Sequence, residues 1–285
     1  MTAPGPGSIS RGGLGSRARV AAWLFLGVVV LAAMLARPLA GYGYDEQHRA
    51  EASLSPGNGH LLGTDELGRD RWSRLLHGAR VSLLLAPAAA FLATAIAGLV
   101  GLAAGLARVR GWRWAVHALT LTIDVFLGLP WLFLLLAVRA ALPLNLGAAA
   151  SLAITGLLMG LLGWPSAARL VRSSTLAAAG ANCVLQAEAA GLPAWRVAWR
   201  HITPALMPLL KAQFLVAVPG FLHAEATLSL LGLGVAEPLP SLGNLLSELT
   251  SFPPVTQQPW LAAPAALLVA IVLALQCVVA KAQPA

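Results

Sequence analysis

Lysine is almost missing from this chain: Lys211 and Lys281 are the only two in 285 residues. Neither stands in a GxxxxGK(S/T) phosphate loop, so there is no Walker A element to hold ATP. Cysteine is as rare. Cys183 and Cys277 show neither CxxC nor metal spacing, which removes a disulfide framework and a thiolate metal site and leaves both as packing or loop residues. HExxH and GxSxG are absent as well, so the chain is not read as an enzyme and no cofactor is implied. Charged residues make up only 11% against 58% hydrophobic, with a mean hydropathy of +0.76, which excludes an ordinary soluble domain. The net charge of +8 does not point to nucleic acid, because the basic residues lie in short clusters between apolar runs and form no continuous stripe.

What is present is apolar length. A bilayer core about 30 Å thick needs roughly 20 apolar residues per helix. Six runs meet or approach that, at residues 20–36, 81–107, 114–138, 140–168, 212–234 and 261–280. They predict an all-α membrane protein with six transmembrane helices and both termini on one side. The fourth run is broken near its start by LPLN and near its end by Trp164 and Pro165. The first follows Arg11, Arg17 and Arg19 and precedes MLARPLAG, a pattern that mimics a signal peptide. Its apolar stretch exceeds the roughly 7 to 15 residues of such a peptide, so it is read as a retained anchor.

Orientation follows from the basic residues. With a cytoplasmic N-terminus, 12 of the 19 fall on the inner side, among them Arg108, Arg110, Arg113, Arg169, Arg172, Arg196 and Arg200. The outer side holds Arg37, Arg49, Arg69, Arg71, Arg74, Arg80 and Arg139, a local exception concentrated in one block. The expected organisation is a cytoplasmic tail at 1–19, a first helix at 20–36, an outer segment at 37–80, and five helices over 81–280 with a cytoplasmic loop at 169–211.

The exceptional block reads GTDELGRDRWSRLLHGARVSLLLA, residues 63–86. From Asp70 onward, Trp72, Leu75, Leu76 and Ala79 share one helical face, with Arg71, Arg74 and His77 elsewhere. An apolar stripe with basic flanks and a tryptophan suits a helix lying in the membrane surface. A plain helical lead-in to the second span suits the same residues. Asp65 or Asp70 is placed to cap its start.

Residues 62–83 match, nearly position for position, the pattern LGTDxLGRDxxSRLLxGARxSL that precedes the second helix in C-type permease subunits of peptide and nickel ATP-binding cassette (ABC) importers. AEATLSLLGLGVAEPLPSLGNLLS, residues 224–247, resembles the fifth helix and following outer loop of the same subfamily. GWPSAARLVRSSTL with EAAGLPAWRVAWRHITPALMPLL is similar to the cytoplasmic loop that carries the EAA motif. The resemblance covers about residues 60–260. It implies an ABC importer type I permease fold in a bacterial inner membrane, passing dipeptides, oligopeptides, nickel complexes or related solutes. The partners it implies are a second, B-type permease, one or two cytoplasmic ATPases, an exported solute-binding protein and membrane lipid, with no nucleic acid. It singles out Gly63, Thr64, Asp65, Gly68, Arg69 and Asp70 as the outer motif. Relatives continue with a short polar tail where this sequence ends at KAQPA.

The cytoplasmic loop also has a reading of its own. Gly191 follows an alanine-rich stretch and precedes Pro193 by two positions, the signature of a helix end. In 194–203, Trp195, Ala198, Trp199 and Ile202 share one face, Arg196 and Arg200 another, and Pro204 is expected to limit the helix. By residues alone, a helix pair projecting from the membrane and an amphipathic loop on the lipid surface both fit. The resemblance implies that this loop seats the ATPase, through Glu188, Ala189, Ala190 and Gly191 and a coupling helix with Trp195, Arg196, Trp199, Arg200 and Pro204. The motif glutamate falls at Leu185 when the pattern is set on Gly191 and Pro204. Glu188, three residues later on nearly the same face, is expected to make the contact instead.

Two carboxylates lie inside apolar runs, Asp124 and Glu225, with His117 and His223 nearby. Ionisable groups in spans are functional candidates by default. Asp124 and Glu225 are therefore candidates for lining the pathway or meeting a partner subunit, while the two isolated histidines carry no metal site. A secondary transporter using Asp124 or Glu225 as an ion or proton relay is the competing class. The glycine pairs Gly101/Gly105 and Gly156/Gly160 have the spacing that lets helices pack closely.

Overall fold

A computed structural model describes residues 11–57, 59–143, 147–251 and 258–279, with side chains from residue 17 onward and not at 250–251. Most of the expected tail at 1–19, and the C-terminal KAQPA, lie outside the described residues or side chains. Among the described residues the fold is all-α, the only extended pairings being two isolated bridges, Gly57–His60 and Thr64–Asp70. The helices are α1 (Arg11–Met34), α2 (Ala36–Ala40), α3 (Arg71–Val109), α4 (Arg113–Gly128), α5 (Trp131–Ala141), α6 (Ala148–Leu162), α7 (Pro165–Ala179), α8 (Asn182–Ala189), α9 (Ala194–Val197), α10 (Thr203–Leu230), α11 (Leu242–Ser251) and α12 (Ala263–Val279).

Five helical stretches are long and apolar enough to cross a membrane, and six when α4 and α5 count as one. That pair bends by 84° at residues 129–130. Hydropathy reads straight through the break, but Pro130 disfavours the helical conformation in the residue before it, and Leu129 is extended at φ −94° and ψ 131°. The next span breaks at Gly163 and Trp164 ahead of Pro165, then continues to Ala179, so Arg169 and Arg172 belong to a helix and not to a loop.

The longest element corrects the surface-helix reading of residues 71–80. They are the opening turns of α3, one helix of 39 residues and thus about 58 Å, roughly twice the apolar thickness of a bilayer. Asp70 caps it, accepting from the Ser73 N–H at 2.6 Å. α3 packs against α7, α10 and α6. A Cβ on Gly101 would lie 2.6 Å from the Ala168 carbonyl oxygen, and one on Gly105 2.5 Å from Thr175 Cβ, so this pair of glycines serves packing within the chain. Gly156 and Gly160 likewise meet Leu85 and Leu92 of α3.

The start of α3, the 42–70 segment and the 231–248 segment cluster at one end, called here the Gly63 end. The C-terminus of α3 and residues 180–203 form the opposite, Gly191 end. α1 and α2 finish beside the start of α3, where Ala32 and Ala36 pack with Trp72 and Leu76 and Trp72 Nε1 donates to the Leu39 carbonyl of α2, and α12 packs on α1.

Candidate functional site

At the Gly191 end, α8 stops in a hydrogen-bonded cap. The Leu192 N–H reaches the Ala187 carbonyl at 3.2 Å and the Gly191 N–H the Glu188 carbonyl at 2.9 Å, with Gly191 at φ +77°. This is a Schellman cap, and it needs a left-handed residue at that one position. Val184 and Ala187 of α8 pack with Val197, Ile202 and Leu206 against Val171 and Ala179 of α7 and Leu102 and Leu106 of α3. The turn is thus fastened to the ends of two spans. Glu188, Ala189, Ala190, Gly191 and the neighbouring Leu185 stay exposed.

Two expectations for the second helix are corrected. Pro204 does not end it: α9 passes through a π-turn, Ala198–Ile202, directly into α10. The Thr203 N–H bonds Ala198 five residues back, and the wider turn admits the proline ring. The expected apolar face is also divided. Ala198 and Ile202 are buried, whereas Trp195 and Trp199 are 66% and 73% exposed, beside Trp112, Trp114 and Arg110. Arg196 stacks on Trp195 at 5.3 Å, and Arg196 and Arg200 are exposed.

Midway between the ends, the two helix breaks face one cavity of about 360 Å³. Leu129, Pro130 and Trp131 line it from one break, Gly163 and Pro165 from the other, with Gln213 and Phe221 of α10. Broken helices at membrane depth leave backbone polar groups for a solute or water, and such backbone is tolerated only where it lines a cavity or is covered by protein.

At the Gly63 end the motif residues form a buried ionic layer. Asp65 accepts from the Leu67 and Arg69 N–H groups at 2.9 and 2.8 Å and from Arg69 Nε at 2.6 Å. Thr64 donates to the Glu51 carbonyl and accepts from the Leu54 N–H. Gly63 and Gly68 have positive φ, and a Cβ on either would strike the carbonyl oxygen of Leu54 or His48. Asp70 holds His60 Nδ1 at 2.8 Å while Glu51 holds Nε2 at 3.2 Å. Burial pushes the His60 pKa down, but the bonds to Asp70 and Glu51 outweigh it, and the pKa is raised. Arg74, expected on the membrane surface, is 1% exposed; it bonds Glu237 at 2.9 Å and lies 3.6 Å from Asp65 and 3.5 Å from Glu248. Arg69 and Arg71 reach Glu237 and Glu248 at 2.7 and 2.6 Å.

Residues 97–283 match the family described as binding-protein-dependent transport system inner membrane component. The chain belongs to that family. It is 31% identical over 233 residues to the oligopeptide transport system permease protein OppC of Bacillus subtilis, covering 82% of this chain and 72% of the relative. It is 31% identical over 261 residues to the OppC protein of Mycobacterium tuberculosis, covering 91% and 86%. The chain is thus a multi-pass permease of an ABC importer.

The candidate carboxylates of this permease are held within the chain. Asp124 pairs with Arg169 of α7 at 2.8 Å, both side chains about half exposed. Glu225 is 1% exposed and accepts from Ser82 of α3 and from Ser229, each at 3.0 Å. Ser82 Oγ also accepts the Leu242 N–H, so Glu225 and Ser82 join α3, α10 and the start of α11. A buried carboxylate bound by hydroxyls at a three-helix junction fits structural support better than a proton relay. Sequence reasoning passed over His60, Ser82, Glu237 and Glu248. Arg74, Ser82 and Glu237 lay inside the stretches that carried the family resemblance, and that was their available signal.

Proposed function

We propose that this permease forms half of a translocation pathway for peptides and is driven by separate ATPase subunits that dock on Glu188, Ala189, Ala190 and Gly191 and on the helix bearing Trp195, Arg196, Trp199, Arg200 and Pro204. The observation that carries this reading is the exposed helix pair whose buried side grips α3 and α7. A push on α8 reaches both spans, because packed helices shift as units. In this reading the Gly191 end is cytoplasmic, the Gly63 end receives solute from an exported binding protein, and the cavity at the helix breaks is this subunit's share of the path, completed by a B-type permease. Peptides are favoured over nickel complexes because the relatives are named oligopeptide permeases. Proteoliposomes holding the permease pair, its ATPases and its binding protein should accumulate a labelled peptide only with ATP inside. Accumulation without the ATPase subunits, driven by an ion gradient, would refute the reading.

A further inference from the structure

Arg139, near the end of α5, is 2% exposed and only partly satisfied. Its Nη2 donates to Ser151 Oγ at 3.2 Å. That hydroxyl is already engaged, donating to the Gly234 carbonyl and accepting from the Ala236 N–H, each at 3.1 Å. Nε and Nη1 of Arg139 have no hydrogen-bond partner among the described residues. A guanidinium does not shed its charge, and a buried cation without acceptors is costly.

Glu237, the carboxylate that lines the same cavity as Arg139, is committed to Arg69 and Arg74. Beside Arg139 lies a cavity of about 240 Å³, lined also by Ser229, Glu237, Asn244 and Ser247. It is smaller than the roughly 300–1,000 Å³ of a typical whole-ligand pocket, so it suits one end of a solute.

Its position follows from two helices. Trp131 and Phe221 border the cavity at the helix breaks, and Arg139 and Ser229 border this one. Along both α5 and α10 the offset is eight residues, about 12 Å. An extended chain of three or four residues covers that distance at about 3.5 Å each.

We propose that Arg139 receives the C-terminal carboxylate of a peptide on its way to the cavity at the helix breaks. A carboxylate supplies the missing acceptors in a charge-assisted bond, and every peptide with a free C-terminus carries one whatever its side chains. This rests on the peptide-permease reading above.

The test uses the assembled complex in proteoliposomes, with binding protein saturated by either tri-alanine or tri-alanine amide, so that selection by the binding protein is removed. The unaltered complex should carry the acid about tenfold faster than the amide, and Arg139→Gln should abolish that preference by slowing the acid alone. Equal slowing of both peptides, or an unchanged acid-to-amide ratio, overturns the assignment. If Arg139→Gln does not co-purify with the ATPases, Arg139→Lys decides: the preference should shrink but persist, and an unchanged ratio again overturns it. Failure of the unaltered complex to carry either peptide overturns the peptide-permease reading itself, and this assignment with it.

Discussion

His60 stacks on Tyr42 with ring centroids 4.8 Å apart and stands between Asp70 and Glu51. Its pKa is raised from the ordinary 6.5, so the protonated ring is favoured in the folded chain. The stability this supplies is complete below pH 6.5 and is lost as the pH climbs through the raised value. The thermal midpoint of the purified permease should therefore fall as the pH is raised above 6.5, and the fall should be blunted in His60→Asn. An identical slope in that variant would exclude the ring as its source. Arg74 shows why such a layer cannot be read from the chain. The motif displays the arginine, but its acceptors Glu237 and Glu248 lie far along the sequence, and local periodicity carries no information about them. Where both partners are shielded, as in His60 with Asp70 and Arg69 with Asp65, removing one costs about 3–5 kcal/mol.

At the scale of elements, Gly191 is the position where sequence and structure coincide most closely. A glycine two residues before Pro193 announces a helix end, and the hydrogen bonds of α8 are those of the expected cap. Open space surrounds its Cα, so the constraint is φ +77° and not crowding. Gly191→Val should cost about 1–2 kcal/mol in the turn and loosen ATPase co-purification, whereas Gly191→Asn, which tolerates the left-handed region, should keep it. Equal retention of the ATPase by both variants would count against the docking surface. Pro130 and Pro204 show the limits of local reading. Hydropathy carried the third run across Pro130, where the chain turns by 84°, and proline chemistry stopped a helix at Pro204, where a π-turn lets it pass. One misses backbone torsions that composition does not record. The other applies a rule for regular α-helices to a widened turn.

For the whole molecule, the count of apolar runs anticipated the number of spans, because the thickness of lipid sets their length. Orientation is open to a direct measurement. Cys183 at the start of α8 is exposed, as is Cys277 in α12. In a Cys277→Ser background, a membrane-impermeant maleimide should label Cys183 only once the cytoplasmic face is opened, and labelling of intact cells would invert the proposed topology. Only 17–39% of the most apolar window of each of the five long spans is buried within the chain, which leaves surface for lipid and for the second permease of the proposed reading.

The opening turns of α3 belong to the ionic layer, and its last turns lie under the cap that holds Gly191. On the reading proposed above, a single beam joins the doorway to the engine mount, with one internal proline, Pro87. On that reading, delivery of cargo at one face is felt at the other through this strut.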